Sequence, residues 1–195
     1  MGRIRGVIFD LDGTITKPYL DFKRIKREIG MPEDEPILEH LEKISEQERK
    51  KAEEILERHE LEAAENSELN PGVEKLLSFI SKLGLKTGII TRNCHSSCDI
   101  VFARHRLSFD VVICRGDAAP KPSAEPVMMS SRRLGIPPAE FLLVGDYAFD
   151  IIAGRKAGAK TAYLTNSKPI PEGIPYDYAV DSPDKLISII EELTS

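Results

Sequence analysis

The chain has no tryptophan and a single glutamine, Gln47, while glutamate and lysine are plentiful. That balance leans towards a thermophilic source, where thermolabile amides are scarce and charged pairs abundant. Cysteine is scarce too: the chain has 3, an odd number that argues against a secreted disulfide framework. Cys94 and Cys98 stand one helical turn apart with His95 between them, but no further ligands follow at a tidy spacing. Packed thiols are therefore expected rather than a metal site. No apolar run approaches the length of a membrane span. The first residues lead into no signal-peptide core, and Gly6 stands where N-myristoylation wants Ser or Thr. Lysine and arginine nowhere gather into a block, and the formal net charge is -5. Both features argue against nucleic acid and anionic membrane as main partners. A cytoplasmic protein is expected, as a monomer or homodimer.

What is present is an ordinary globular balance. The 195 residues, 41% hydrophobic and 30% charged, fit one domain with a small insertion. The most informative stretch is VIFDLDGT, Val7 to Thr14. An apolar run of strand type ends in Asp10, and Asp12-Gly13 follows as a turn signal. Strand side chains alternate faces, so Asp10 and Asp12 would point the same way if the strand continued. Two carboxylates so placed repel each other unless a cation sits between them or one holds a proton. An ordinary Asp-Gly turn is the alternative.

From residue 16 to residue 70 the pattern is charged and helical. Apolar residues recur at helical spacing in three groups: Phe22, Ile25 and Ile29; Ile37, Leu38, Leu41 and Ile44; Ala52, Ile55, Leu56 and Ala63. Pro32 and Pro36 separate the early groups, and Ser45 with Glu48 fits a capping box opening a helix that runs to about Glu65. Three helices packed as a small bundle are expected. After Asn70-Pro71-Gly72, helices and strands alternate. Strands are expected over 85–90, 110–113, 141–145, 161–164 and 178–180, with helices over 73–83, 96–106, 123–134, 149–157 and 183–193. Such alternation predicts an α/β fold with a doubly wound parallel sheet, the first strand included. The predicted division is a core of residues 1–15 and 71–195 with a helical cap of residues 16–70 inserted.

In an open parallel sheet, chemistry gathers outside the carboxyl ends of the strands. Those ends carry Asp10, Thr91 and Asp146, and the loop after the third strand carries Lys121 between two prolines. Each has a plain reading alone: Thr91 ending a strand, Lys121 solvated in its loop, Asp146 and Asp150 capping the next helix.

Together they resemble the haloacid dehalogenase superfamily of hydrolases. FDLDGT from Phe9 is similar to its first motif, ITRN with Thr91 to its second, KPS with Lys121 to its third, and VGDYAFD with Asp146 and Asp150 to its fourth. The order is right, and the helical insertion resembles the cap of the phosphoglycolate-phosphatase-like branch. The resemblance implies a Mg2+-dependent phosphatase acting on a small phosphorylated metabolite. Asp10 would be the nucleophile, giving an aspartyl phosphate. Asp12 would protonate the leaving oxygen and then take a proton from the attacking water. Thr91 would hydrogen-bond a phosphoryl oxygen, and Lys121 would place a positive charge opposite Asp10. The metal would be held by the Asp10 and Asp146 side chains and the Asp12 backbone carbonyl, with Asp150 holding a ligand water or orienting Lys121. Arg92 and Asn93 are candidate substrate contacts. Lys17 and Tyr19, at the entry to the cap, could close over a substrate, and no histidine is assigned a role. A phosphomutase with the same core, or a non-catalytic phosphate-binding module, would share these motifs. Asp12 itself speaks against a dehalogenase, which the resemblance implies would lack an acid there.

Overall fold

In the computed structural model, which describes residues 3–195, the alternating pattern builds one parallel sheet. Its strands are β1 (Gly6–Phe9), β2 (Lys86–Ile90), β3 (Val111–Ile113), β4 (Phe141–Gly145), β5 (Lys160–Leu164) and β6 (Tyr178–Val180), in the order β3-β2-β1-β4-β5-β6. Every neighbouring pair is parallel. All four residues of β1 and all five of β4 are buried, as the unbroken apolar runs GVIF and FLLVG require of strands covered on both faces. Helices α4 (Val73–Lys82), α6 (Glu125–Leu134), α7 (Ala148–Ala157) and α8 (Leu186–Thr194) complete this α/β unit. Its core joins Ile8, Ile90, Ile113, Val127, Phe141 and Leu143.

The register positions the chemistry. Phe9 pairs with Val144 on one side and Ile89 on the other. The Asp10 amide continues the ladder by donating to the Val144 carbonyl at 2.9 Å. The chain leaves β1 towards β2 on one side, while β4 and β5 lie on the other. Strand order therefore reverses between β1 and β4, where such sheets open a crevice at their carboxyl edge.

The second unit, Tyr19–Ser67 with Asn93–Leu107, is helical. It contains α1 (Phe22–Ile29), α2 (Ile37–Leu41), α3 (Glu46–Glu65) and α5 (His95–His105). Ser45 and Glu48 form the expected capping box: the Glu48 amide donates to Ser45 Oγ, and the Ser45 amide donates to Glu48 Oε2 at 3.1 Å. Ile25, Ile37, Leu38, Leu41, Ala52 and Leu56 make this unit's own core. The difference from the sequence reading is α5, which that reading placed in the alternating core. It groups with α3, whose buried Glu60 accepts the Cys94 amide at 2.9 Å and so caps the start of α5. Ala63 and Ala64 line the buried face of α3, and Ser67 Oγ meets His105 Nε2 at 2.9 Å. The apolar pattern of α5 showed a helix but not which surface it would join. Cys98 and Cys114 are buried and Cys94 is half-buried, and none of the three is in a disulfide.

Between α1 and α3, Glu28 accepts from Arg24 Nε at 3.0 Å and Arg58 Nη2 at 2.6 Å, and it meets His59 Nε2 at 3.1 Å. The His59 contact, with help from both arginines against some desolvation, holds the Glu28 carboxyl down at about 2 instead of 4.5. A depressed folded-state pKa gives a contribution present above 4.5 and lost as pH falls through about 2. The gap in melting temperature between wild type and Glu28→Gln should therefore close across that window. A gap constant with pH would contradict this account.

Candidate active site

Asp10 ends β1, and the chain then turns sharply: the amides of Thr14, Ile15 and Thr16 all converge on the Leu11 carbonyl, at 3.3, 2.9 and 3.0 Å. The turn requires Gly13 at φ 81, and a Cβ there would lie 2.1 Å from Asp146 Oδ2. Glycine is needed for its backbone and also because the Asp146 carboxylate occupies the space of a side chain. Asp12 Oδ1 accepts from Thr16 Oγ1 at 3.3 Å, which steadies the carboxyl two residues beyond Asp10.

Lys121 comes from the loop between β3 and α6, and its side chain is 3% exposed. Its Nζ donates to Asp10 Oδ1 at 2.5 Å, Asp150 Oδ1 at 2.6 Å and the Ile90 carbonyl at 2.7 Å. Three acceptors for three ammonium hydrogens fix this charge in place. Asp150 lies in the first turn of α7, where its Oδ2 also accepts the Tyr147 amide at 3.1 Å. Gly145 leaves room for it, since a Cβ there would stand 2.3 Å from the Asp150 carboxylate.

Asp10, Asp146 and Asp150 each offer an oxygen within 4.8 Å of the others. Burial raises the Asp10 carboxyl well above the usual carboxylate range; Lys121 opposes this, and Asp150 and Asp146 add to it. Burial, then the Asp150 charge, pushes Asp146 up to about 7. For Lys121, burial works to lower the pKa, but Asp10 and Asp150 outweigh it and push the ammonium up to about 12. One ammonium thus faces three crowded carboxylates, a surplus of negative charge that a bound cation would relieve. Oxygen donors of this kind, Asp150 buried and Asp10 and Asp146 half-buried, fit a hard divalent ion such as magnesium, unlike a fully solvated acidic surface patch.

Thr91 follows β2, is buried, and donates its amide to the Ile113 carbonyl at 3.0 Å. Arg92 turns its guanidinium to the Lys121 carbonyl and lies over the Phe149 ring, 5.0 Å from the centroid. Arg115 donates to the Arg92 carbonyl at 3.1 Å. The structure thus brings Asp10, Lys121, Asp146 and Asp150 together and ties Arg92 to the Lys121 loop. Asn93, also buried, falls with the helical unit. Two residues escaped sequence reasoning. Asn70 Nδ2 donates to the Gly13 carbonyl at 3.1 Å, and Asn166 Nδ2 donates to the same carbonyl at 2.7 Å. Asn70 read only as part of a turn signal, and no local pattern around Asn166 linked it to the first motif.

Comparison with known proteins gives the family. The profile of haloacid dehalogenase-like hydrolases matches residues 16–164. A haloacid dehalogenase-like hydrolase domain-containing protein of Arabidopsis thaliana is 34% identical, covering 97% of this chain and 84% of its own length. An N-acetylmuramic acid 6-phosphate phosphatase of Pseudomonas aeruginosa is 29% identical, over 97% of this chain and 96% of its own. The crystal structure of a hydrolase from Pseudomonas syringae superposes with a TM-score of 0.81 over 98% of this chain and all of its own, at 21% identity, a likeness of fold alone. Among the described residues, no helix is long and apolar enough to cross a membrane. With its parallel sheet, its carboxylates gathered around one buried lysine, and these relatives in sequence, the chain belongs to the haloacid dehalogenase-like hydrolase family.

Proposed function

We propose that the chain is a Mg2+-dependent phosphatase that hydrolyses a small phosphorylated metabolite through an aspartyl phosphate on Asp10. The observation that carries this reading is Asp10 itself, a half-buried carboxylate held 2.5 Å from the Lys121 ammonium with a second acid, Asp12, two residues on. Burial favours the protonated form of Asp10, and attack on phosphorus needs the ionised one; Lys121 is the chain's own counterweight. Asp10 attacks, its carboxylate oxygen bonds to phosphorus, and the leaving oxygen departs with a proton from Asp12. Asp12, now ionised, takes a proton from the water that attacks the acyl phosphate. This frees inorganic phosphate and restores Asp10. Thr91 donates to a phosphoryl oxygen. Asp10, Asp146 and the Asp12 carbonyl would hold the magnesium ion, which when bound neutralises phosphoryl charge. Asp150, already engaged with Lys121 at 2.6 Å, acts by orienting that ammonium.

Arg92 and Asn93 are proposed to border the substrate, Arg92 also strapping the Lys121 loop through its carbonyl. The helical unit is proposed as the cap that selects the substrate. Names among the relatives support a phosphorylated substrate, the Pseudomonas aeruginosa protein being called an N-acetylmuramic acid 6-phosphate phosphatase. The test is release of p-nitrophenol and inorganic phosphate from p-nitrophenyl phosphate. Release should require Mg2+ and stop when Ca2+ replaces it, because calcium accepts looser geometry and more ligands. Full activity in excess chelator, or none with Mg2+ on any phosphomonoester of a metabolite panel, would overturn the reading.

A further inference from the structure

The loop that carries Asp10 and Asp12 is held from behind by two carboxamides that the proposed chemistry does not use. Asn70 stands where the chain returns from the helical insertion, and it is 8% exposed. Its Nδ2 reaches the Gly13 carbonyl at 3.1 Å, the Thr14 carbonyl at 3.3 Å and Asn166 Oδ1 at 3.0 Å. Its backbone amide donates to the Ile15 carbonyl at 2.9 Å. Asn166, in the loop after β5, sends its own Nδ2 to the Gly13 carbonyl at 2.7 Å. One carbonyl therefore takes both amides, and the amides also bond each other.

Asn166 does this from a backbone conformation that few side chains other than asparagine adopt readily. Its φ is 49, in the left-handed region, and Ser167 beside it has φ 61. Glycine would adopt it freely but could not supply the amide. A side chain held at positive φ that closes a hydrogen-bonded ring around a functional loop points to a positioning role. The place held is informative. The Gly13 carbonyl is gripped on one side, while on the other the Gly13 α-carbon abuts Asp146, whose Oδ2 fills the space of a Cβ. The clasp therefore sets the spacing between the backbone at Asp12–Gly13 and the Asp146 carboxylate, the two sides of the carboxylate cluster.

We propose that Asn70 and Asn166 are positioning residues for metal binding: the pair of amides holds the first-motif loop at the distance from Asp146 that a divalent ion needs. The inference rests on the metal-dependent reading above. Neither amide titrates, so the clasp works alike across the pH range of the enzyme. Its removal should weaken metal affinity by about 10- to 100-fold, the usual effect of losing a residue that orients metal ligands.

The experiment is calorimetric titration of Mg2+ into the substrate-free protein, with melting temperature measured in chelator. Asn166→Gly deletes the amide but keeps a residue at ease at positive φ, so it should fold with a melting temperature in chelator at or modestly below wild type, while Mg2+ binds at least 10-fold more weakly. Asn70→Ala should weaken Mg2+ binding in the same way. Ser167→Gly eases the neighbouring positive φ without touching either amide, and it should bind Mg2+ as wild type does. At saturating Mg2+, kcat and KM of Asn166→Gly for p-nitrophenyl phosphate should stay within a few-fold of wild type. Wild-type Mg2+ affinity in both Asn166→Gly and Asn70→Ala, whatever their melting temperatures, overturns the proposal. So does a KM rise with unchanged Mg2+ affinity. A wild-type protein that binds no Mg2+ overturns the metal-dependent reading instead, so the two failures are told apart.

Discussion

Replacing Lys121 with glutamine is expected to lower kcat on p-nitrophenyl phosphate by about 1,000-fold and to destabilise the fold by about 3–5 kcal/mol. Two effects combine. In the ground state the Lys121 ammonium is the buried counter-charge to both Asp10 and Asp150. Glutamine keeps a donor for the Ile90 carbonyl but leaves two carboxylates without their cation, and breaking a buried pair from one side is far costlier than replacing both partners. In the reaction, the same charge keeps Asp10 ionised and meets the charge that develops on the phosphoryl oxygens. The sign follows from the raised pKa. With Lys121 pushed up to about 12, its stabilisation is fully present below 10.5 and lost only as pH rises through 12. The stability gap between wild type and Lys121→Gln in urea should therefore persist from pH 6 to 9 and widen as pH rises, because the Asp10 and Asp146 carboxyls, which Lys121 holds down, can shed the unpaired charge by taking protons at the lower end, while kcat is depressed throughout. Turnover near wild type would remove Lys121 from the mechanism.

Asp12→Asn should separate the two half-reactions. The substitution keeps the backbone carbonyl proposed to hold magnesium and keeps an oxygen for Thr16 Oγ1, which now donates to Asp12 Oδ1 at 3.3 Å. It loses the proton relay. A p-nitrophenolate leaving group hardly needs a proton, so phosphoryl transfer to Asp10 should suffer little. Hydrolysis of the acyl phosphate needs a base for water and should slow by roughly 100- to 10,000-fold. The expected trace is a burst of about one p-nitrophenol per site followed by near silence, the kinetic mark of a covalent intermediate that accumulates. An alkyl phosphate, whose leaving oxygen does need the proton, should give no burst. Steady wild-type rates would take Asp12 out of the chemistry.

How much of this was readable in advance depends on how far apart the interacting residues lie in sequence. The apolar run of β1 and its Asp-Gly stop were plain, because strand and turn signals are local. So was α3, where Ser45 and Glu48 marked the start and the structure ends the helix at Glu65. The helical character of α5 was equally readable. Its grouping with α3 was not, since that depends on a buried carboxylate, Glu60, meeting an amide elsewhere in the chain. The site divides in the same way. Asp10, Asp12, Thr91, Lys121, Asp146 and Asp150 stand in motifs whose order can be recognised. The reason position 13 must be glycine is the Asp146 carboxylate against it, a contact no local pattern announces. Asn70 and Asn166 are the clearest case. Asparagine in a loop ordinarily signals only a turn, and their purpose appears once three distant segments meet at the Gly13 carbonyl. Arg92 was expected at the substrate, and the structure shows its guanidinium engaged by the Lys121 carbonyl and the Phe149 ring.

The central claim is that phosphorus is transferred to Asp10. Its most direct test is to mix Asp12→Asn with p-nitrophenyl phosphate and Mg2+, quench in acid at the end of the burst, and map the peptides by mass. The account predicts one phosphoryl group, on the peptide that contains Asp10, its amount matching the p-nitrophenol released and absent when Asp10 is also changed to Asn. A burst that leaves this peptide unmodified, or a phosphoryl group on any other residue, would contradict it.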